Sequence, residues 1–164
     1  MNHRCGVRSL FVLAGLVALA MSGAWAQSLD VSAGQTVYGN TCIACHQENG
    51  QGIPGTFPPL AGTVPEFLQK GDDGRKVLME VVVYGMKGDV TIAGTDYNGT
   101  LPTWGKVLTD QQIADVLNYV THAWDNDKML PDGFQPFTAD DVKQVRGQGL
   151  TPEQTLKLRN ALGL

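Results

Sequence analysis

Cysteine, histidine and basic side chains are scarce in this sequence of 164 residues. Three cysteines and three histidines are present, and 12 lysines and arginines stand against 16 aspartates and glutamates. The net charge of −4 at pH 7 argues against nucleic acid and anionic membranes as the main partners. The length, with 43% hydrophobic and 17% charged residues, favours one globular domain with a single core.

Long apolar runs are also lacking, apart from residues 10–21. A transmembrane helix needs about 20 apolar residues, so this run is too short for a membrane anchor. Basic residues precede the run, and Ala-Trp-Ala at residues 24–26 places small side chains where a signal peptidase reads them. The pattern predicts a secretory leader over residues 1–26, cleaved between Ala26 and Gln27. We therefore expect a periplasmic protein with no stable membrane anchor.

Loss of the leader changes both the charge and the cysteine count. Arg4, Arg8 and Cys5 leave with it, so ten basic residues remain against 16 acidic ones, a net charge of −6. Two cysteines remain, Cys42 and Cys45, and no third cysteine is left to form a disulfide with either of them.

The two remaining cysteines belong to a C-x-x-C-H motif, which is the attachment signal of c-type haem. On one helical turn, two thiols three residues apart can reach the two vinyl groups on one edge of a porphyrin. The next residue then directs its imidazole at the iron. The sequence therefore predicts one covalent haem c bound by Cys42 and Cys45, with His46 as the iron ligand.

Two other uses of a C-x-x-C pair compete with haem attachment. A thioredoxin-like motif sits at a helix start after a strand, and no βαβ pattern surrounds this one. A zinc site needs more soft ligands, and the mature sequence adds only His122 to the motif. Export favours haem, because haem is attached to such motifs outside the cytoplasm.

Capping signals and hydrophobic spacing predict short helices separated by loops. Asp30 can cap a first helix over residues 31–40, on which Gly34 and Tyr38 share a face. The β-branched run that ends at Gly85 would also suit a strand, but the aspartates before it and the glycine after it favour a helix. Helix starts are predicted at Thr63, Asp72 or Asp73, Thr109, Thr138 and Thr151. An apolar stripe follows Thr109 at Ile113, Val116, Leu117 and Val120.

Two segments are predicted to be irregular, residues 49–62 and 88–104, because they are rich in glycine, proline and turn residues. Residues 125–164 form a tail with two short helices. Its phenylalanines and leucines favour packing against the body over a flexible extension.

Residues 30 to about 162 resemble the bacterial class I cytochromes c, in particular an extended type that hands electrons to a terminal oxidase. The resemblance implies an all-α class I cytochrome c fold of short helices around one covalent haem, with a C-terminal helical extension. It divides the chain into a signal peptide at 1–26, a cytochrome c domain at 27–124 and an extension at 125–164 that packs on the domain. The resembling runs are residues 42–46, 52–55, 57–62, 84–85, 97–99, 113–124 and 133–140.

The resemblance also implies two contacts. The first helix would cross the helix of Ile113, with Gly34 and Tyr38 at the contact. The Pro58 carbonyl would accept the other ring N–H of His46, which fixes the tautomer of the imidazole and strengthens it as an iron ligand.

One position departs from the family pattern. The family has a methionine as sixth iron ligand where this chain has Leu101, and leucine has no lone pair to give. Met86 lies in the loop that follows the third predicted helix and is the foremost replacement. Met79 falls inside a helix, and Met129 and His122 fall at or beyond the end of the last main helix. The alternative is an open or water-bound iron.

These features give two functional hypotheses. The first is an electron carrier, not an enzyme, whose partners are redox proteins such as a terminal oxidase or a dehydrogenase. This hypothesis includes a haem subunit of a larger dehydrogenase, because such a subunit also transfers electrons. The second is a haem protein whose open sixth site binds CO, NO, O₂ or peroxide. Peroxide chemistry normally needs a distal acid or base, and the mature chain has few histidines to supply one.

Amino-terminal sequencing of the mature protein should start at Gln27, because the small residues before it form the cleavage site. A bulky substitution, Ala26→Leu, should block cleavage and leave the leader attached. A mature protein that retains Cys5 would contradict the predicted leader.

Overall fold

The computed structural model describes residues 29–164 and Met1, so the predicted leader lies, apart from Met1, outside the described residues. Within residues 29–164 the chain is mainly helical, as expected, with one small sheet. The helices are α1 Ser32–Thr41, α2 Ile43–His46, α3 Val64–Leu68, α4 Gly71–Tyr84, α5 Asp110–His122, α6 Ala139–Arg146 and α7 Pro152–Ala161. The strands are β1 Met86–Ile92 and β2 Thr95–Leu101, and short 3₁₀ turns occupy Trp104–Lys106 and Asn126–Met129.

The contact between α1 and α5 organises the amino-terminal half of the fold. A Cβ atom on Gly34 would lie 2.0 Å from the carbonyl oxygen of Asp115, so only glycine lets the two backbones approach this closely. Tyr38 is buried one turn later, where its ring lies 5.3 Å from the ring of Tyr119, measured between centroids. The predicted role of Gly34 and Tyr38 at this contact is confirmed.

Helix α5 supplies the centre of the core. Thr109 forms the predicted capping box with Gln112, so the helix begins at a defined residue. All four residues of the predicted apolar stripe are buried: Ile113, Val116, Leu117 and Val120. This burial confirms which side of α5 faces inward.

Three helix starts differ from the sequence prediction in their caps. Helix α1 begins at Ser32 with Val31 and not Asp30 at its N-cap, although the Asp30 side chain accepts the Ser32 N–H at 2.9 Å. Thr63 precedes α3, but its hydroxyl donates to the Pro59 carbonyl at 2.6 Å and does not cap the helix. Helix α4 begins at Gly71, just before the aspartates that were expected to start it. The choice of helix over strand for α4 is confirmed, and Thr138 and Thr151 form the expected caps of α6 and α7.

The prediction that residues 88–104 are irregular is wrong. Strands β1 and β2 form an antiparallel hairpin with Met86 opposite Leu101 and Ile92 opposite Thr95. Ala93 and Gly94 connect them, both with positive φ, as a tight two-residue hairpin turn requires. Asn98 and Gly99, which are residue types that favour turns, lie inside β2.

The carboxy-terminal segment lies against the preceding helices. The side-chain amide of Asn118 on α5 donates to the Phe137 carbonyl at 2.9 Å and accepts the Phe137 N–H at 2.7 Å. The guanidinium of Arg75 on α4 lies 4.0 Å from the centre of the Phe137 ring and 3.1 Å from the Asp141 carboxylate. Helix α6 then packs on α4 and α5, and α7 packs on α4 and β1.

None of the helices in residues 29–164 has both the length and the apolar character that crossing a bilayer requires.

Replacing Gly34 by alanine should destabilise the fold, because the new methyl group overlaps the Asp115 carbonyl. Overpacking of this kind costs about 1–3 kcal/mol. Gly39 lies on the same helix and has no atom within 4 Å of a new Cβ. Gly39→Ala should therefore stabilise the protein by about 0.5–1 kcal/mol through helix propensity. Urea unfolding of both variants measures the difference, and equal stabilities would contradict the close helix contact.

Candidate functional site

The C-x-x-C-H motif forms one helical turn directly after α1. The Cys42 N–H donates to the Tyr38 carbonyl at 2.8 Å, so the motif continues from the end of α1. The His46 N–H donates to the Cys42 carbonyl at 2.9 Å, which closes the turn. Cys42, Cys45 and His46 all line one cavity, and neither thiol forms a disulfide.

The thiol chemistry does not match a thioredoxin-like site. Burial raises the pKa of the Cys42 thiol, although its hydrogen bond with the Thr41 hydroxyl opposes this shift. Thioredoxin-like cysteines need a lowered pKa to act as nucleophiles. The raised pKa of Cys42 therefore does not favour disulfide exchange.

His46 is held in one orientation. Its Nδ1 atom lies 2.9 Å from the Pro58 carbonyl oxygen, as the family resemblance implied, and its side chain is only 9% exposed. Because a carbonyl oxygen only accepts hydrogen bonds, Nδ1 carries the proton and Nε2 has a free lone pair. Burial lowers the pKa of His46, with the Pro58 bond opposing, and this favours the neutral ring. A neutral imidazole with a fixed tautomer is the form that binds a metal.

The loop that carries Pro58 is fixed by glycine. The Gly52 N–H donates to the His46 carbonyl at 3.0 Å. Gly52 has a φ of +64°, and a Cβ there would lie 2.3 Å from the Phe57 carbonyl oxygen. Glycine is thus required for the loop to return under the imidazole.

The cavity has a volume of about 240 Å³ and walls that are mainly apolar. Its walls come from the 57–60 loop, α3, α4, α5 and the hairpin, and include Phe57, Leu60, Phe67, Leu78, Val82, Val116, Leu117 and Val120. Two thiols and an imidazole at one edge of an apolar cavity fit a haem. They do not fit zinc, because no group of three or more His, Cys, Asp or Glu in the described part of the chain could hold a metal ion.

His122, the extra ligand that a zinc site would need, is not among the cavity-lining residues. Its Nδ1 atom lies 2.8 Å from the Asn118 carbonyl oxygen, one turn earlier in α5. Its ring packs beside Phe134, with 5.7 Å between the centroids. His122 is a structural residue of the carboxy-terminal interface.

The hairpin places alternate residues on the cavity. Met86 and Val90 on β1 and Tyr97 and Leu101 on β2 line it with the two-residue period of a strand. Gly88, Ile92 and Gly99 follow the same period, and Thr100, next to Leu101, also lines the cavity. Of the other methionines that the sequence raised as ligands, Met79 and Met129 do not line this cavity: Met79 is buried in the core, and Met129 is 41% exposed.

Arg159 on α7 is a cavity residue that the sequence analysis missed. It is only 4% exposed, and it lines both the apolar cavity and a polar pocket beside it. Its guanidinium donates to the Leu164 oxygen at 2.8 Å and to the Thr91 carbonyl at 3.5 Å. No Asp or Glu side chain in residues 29–164 lies within 4.0 Å of it. Nothing in the local sequence distinguishes this arginine from exposed ones on amphipathic helices.

Comparison with known proteins places the site in a family. The family model described as cytochrome c matches residues 31–124. A Thermus thermophilus protein described as cytochrome c-552 is 44% identical over 94% of this chain and 95% of its own length. A second cytochrome c-552 of Thermus thermophilus is 49% identical over 75% of this chain and 92% of its own length. The cytochrome c subunit of a quinone alcohol dehydrogenase from Gluconobacter oxydans is 30% identical over 72% of this chain but only 23% of that protein.

Proposed function

This chain belongs to the cytochrome c family, and we propose that it is a periplasmic electron-transfer protein carrying one covalently attached haem c. The proposal rests on one observation. Two thiols and an imidazole whose tautomer is fixed lie together at one edge of an apolar cavity. The relatives described as cytochrome c-552 are electron carriers, and the full-length match to one of them supports the same role.

Three residues would hold the haem. Cys42 and Cys45 would supply the thioether bonds, and His46 would bind the iron through Nε2 while Nδ1–H donates to Pro58. When bound, the haem supplies reversible one-electron chemistry at the iron. The protein fixes the iron ligand, provides an apolar cavity and sets the charge around it.

The edge of the cavity that carries the cysteines is accessible. Ile43, between the two cysteines, is 37% exposed, and both cysteines are partly exposed. In the other walls, Leu78, Val116 and Leu117 are buried, whereas Thr100 and Pro102 at the end of the hairpin are exposed. Electrons would enter and leave across the edge formed by Cys42, Ile43 and Cys45, where the haem would be attached.

The partners we propose are a terminal oxidase or a dehydrogenase. Among the relatives, one is described as a subunit of a cbb3-type cytochrome c oxidase and another as a subunit of gluconate 2-dehydrogenase. A mature charge of −6 would attract a basic docking surface, so the rate of electron transfer should fall as salt screens the charges.

A second candidate function rests on one observation. Leu101 lies in the cavity wall where the family resemblance implies an iron ligand, and its side chain cannot coordinate a metal. An iron left open there would bind CO or NO in an apolar pocket. An occupied and an open sixth position of the iron therefore make opposite predictions about added CO.

Arg159 would also hold the haem, through one of its propionates. The buried guanidinium donates to oxygens of Leu164, Asn160 and Thr91, and its remaining N–H groups could donate to a propionate. The guanidinium lies where the apolar cavity meets the polar pocket, which is the position that suits the carboxylate end of an otherwise apolar molecule. Neutralising that carboxylate would favour the reduced iron, because it removes negative charge near the metal.

Haem attachment is tested with the intact protein purified from the periplasm. Its mass should equal residues 27–164 plus one haem, and it should cycle between oxidised and reduced spectra. The double variant Cys42→Ala, Cys45→Ala should lose the covalent haem, because no other mature cysteine can replace these thiols. Cys5→Ala changes only the leader and should leave the haem content intact. A colourless wild-type protein with the mass of the bare polypeptide would overturn the proposal.

Arg159→Gln should lower the midpoint potential of the haem, because the haem propionate then has no cationic partner and its negative charge stabilises the oxidised iron. The potential should also become pH-dependent near neutrality, rising again as falling pH protonates the carboxylate. Spectroelectrochemical titration at several pH values measures both effects, and Arg159→Lys should restore part of the potential.

The matched control is Lys157→Gln, which removes the same charge from an exposed position on the same helix. It should leave the potential and its pH dependence unchanged. If Arg159→Gln also left both unchanged in a folded holoprotein, Arg159 would serve only to tie α7 to Thr91 and Leu164.

A further inference from the structure

The register of the hairpin places a second sulfur residue beside Leu101. Met86, the first residue of β1, is the direct cross-strand partner of Leu101, the last residue of β2. Directly opposed residues in an antiparallel pair have their Cβ atoms about 4.5–5.5 Å apart and point to the same face of the sheet. Both side chains line the haem cavity. A thioether on β1 can therefore reach the space that a ligand at position 101 would occupy.

Few other groups along the cavity could bind iron there. Beyond the C-x-x-C-H motif, the lining residues described by the structure include one thioether, on Met86, one phenol, on Tyr97, and one carboxylate, on Glu66. Tyr97 pairs with Val90, four residues further along the hairpin from Leu101, which is about 13 Å at the rise of a strand. Glu66 lies on α3, in a different wall. A methionine thioether is also the group that binds haem iron together with histidine in cytochromes c.

The backbone before Met86 is held tightly. Gly85 has a φ of +75°, and a Cβ there would lie 2.3 Å from the Leu101 carbonyl oxygen, so glycine allows the two strand ends to meet. The Thr103 hydroxyl donates to the Tyr84 carbonyl at 3.0 Å, and the Tyr84 hydroxyl donates to the Val145 carbonyl at 2.7 Å. The position of Met86 is thus fixed by the end of α4, by the hairpin register and by α6.

We propose that Sδ of Met86 is the second axial ligand of the haem iron, supplied by β1 in place of a ligand on β2. This inference rests on the proposed haem attachment. A thioether at this position closes the iron to small ligands and raises its potential, both of which favour the oxidised–reduced cycling of an electron carrier. Leu101 then acts as the apolar packing partner of the ligand.

The test compares holoprotein spectra of the wild type and Met86→Leu. The oxidised wild type should show the weak far-red band of a methionine–iron bond, and the reduced form should not bind CO. Met86→Leu keeps the size and apolar character of the side chain but removes the sulfur. It should lose the band completely, bind CO in the reduced form and have a lower midpoint potential.

Two further variants make the comparison specific. Met129→Leu removes an exposed methionine outside the cavity and should change neither the band nor CO binding. The double variant Met86→Leu, Leu101→Met moves the thioether to the opposite strand of the same pair. It should restore the band and exclude CO again, which simple damage to the fold would not allow.

Two results would overturn the proposal. One is a wild-type holoprotein that lacks the band and binds CO; the other is a band that survives in Met86→Leu. In either case covalent haem and reversible redox cycling would still support the electron-carrier function, because they depend on Cys42, Cys45 and His46. A protein without covalent haem would instead overturn the function and this inference together.

Discussion

The hydrogen bond from His46 to the Pro58 carbonyl is the constraint on which the rest of the site depends. It selects the ring nitrogen that faces the cavity, and it requires the 49–62 loop to return beneath the imidazole. That loop is anchored from the far side by Asn126, a fully buried residue. The side-chain oxygen of Asn126 accepts the Gly62 N–H at 2.7 Å, and its amide donates to the Leu60 carbonyl at 3.2 Å and to the Val120 carbonyl at 2.7 Å. Orientation of one side chain thus depends on helix α5 and on the turn after it.

Much of the helical framework follows from local signals in the sequence. Thr109, Thr138 and Thr151 begin helices because each can satisfy free backbone N–H groups, a property of a few consecutive residues. The C-x-x-C-H motif carries its chemistry in five residues, and its spacing is enough to predict a haem. Thr63 shows the limit of such signals. It has the right neighbours for a cap, but its hydroxyl is taken by Pro59, which the loop brings close only in the folded chain.

Features that depend on contacts between distant residues could not be predicted in this way. Strand β2 contains Asn98 and Gly99, residues that favour turns, and it forms because β1 pairs with it and α7 covers β1. Arg159 becomes a cavity residue only when α7 packs on β1. Even so, the sequence singled out both Met86 and Leu101, and the structure adds that they are cross-strand neighbours.

The distribution of the cavity walls along the chain has a consequence for how the protein is made. Cys42 and Cys45, the proposed attachment points of the haem, lie early in the described residues, whereas Arg159 belongs to the last helix. In a chain delivered amino terminus first, the thiols emerge long before the wall that carries Arg159, so covalent attachment can precede burial. Contacts this distant in sequence also form slowly in folding. The haem would then be attached while it is still exposed to solvent. It would become enclosed later, when α7, the last helix, packs against the rest of the protein.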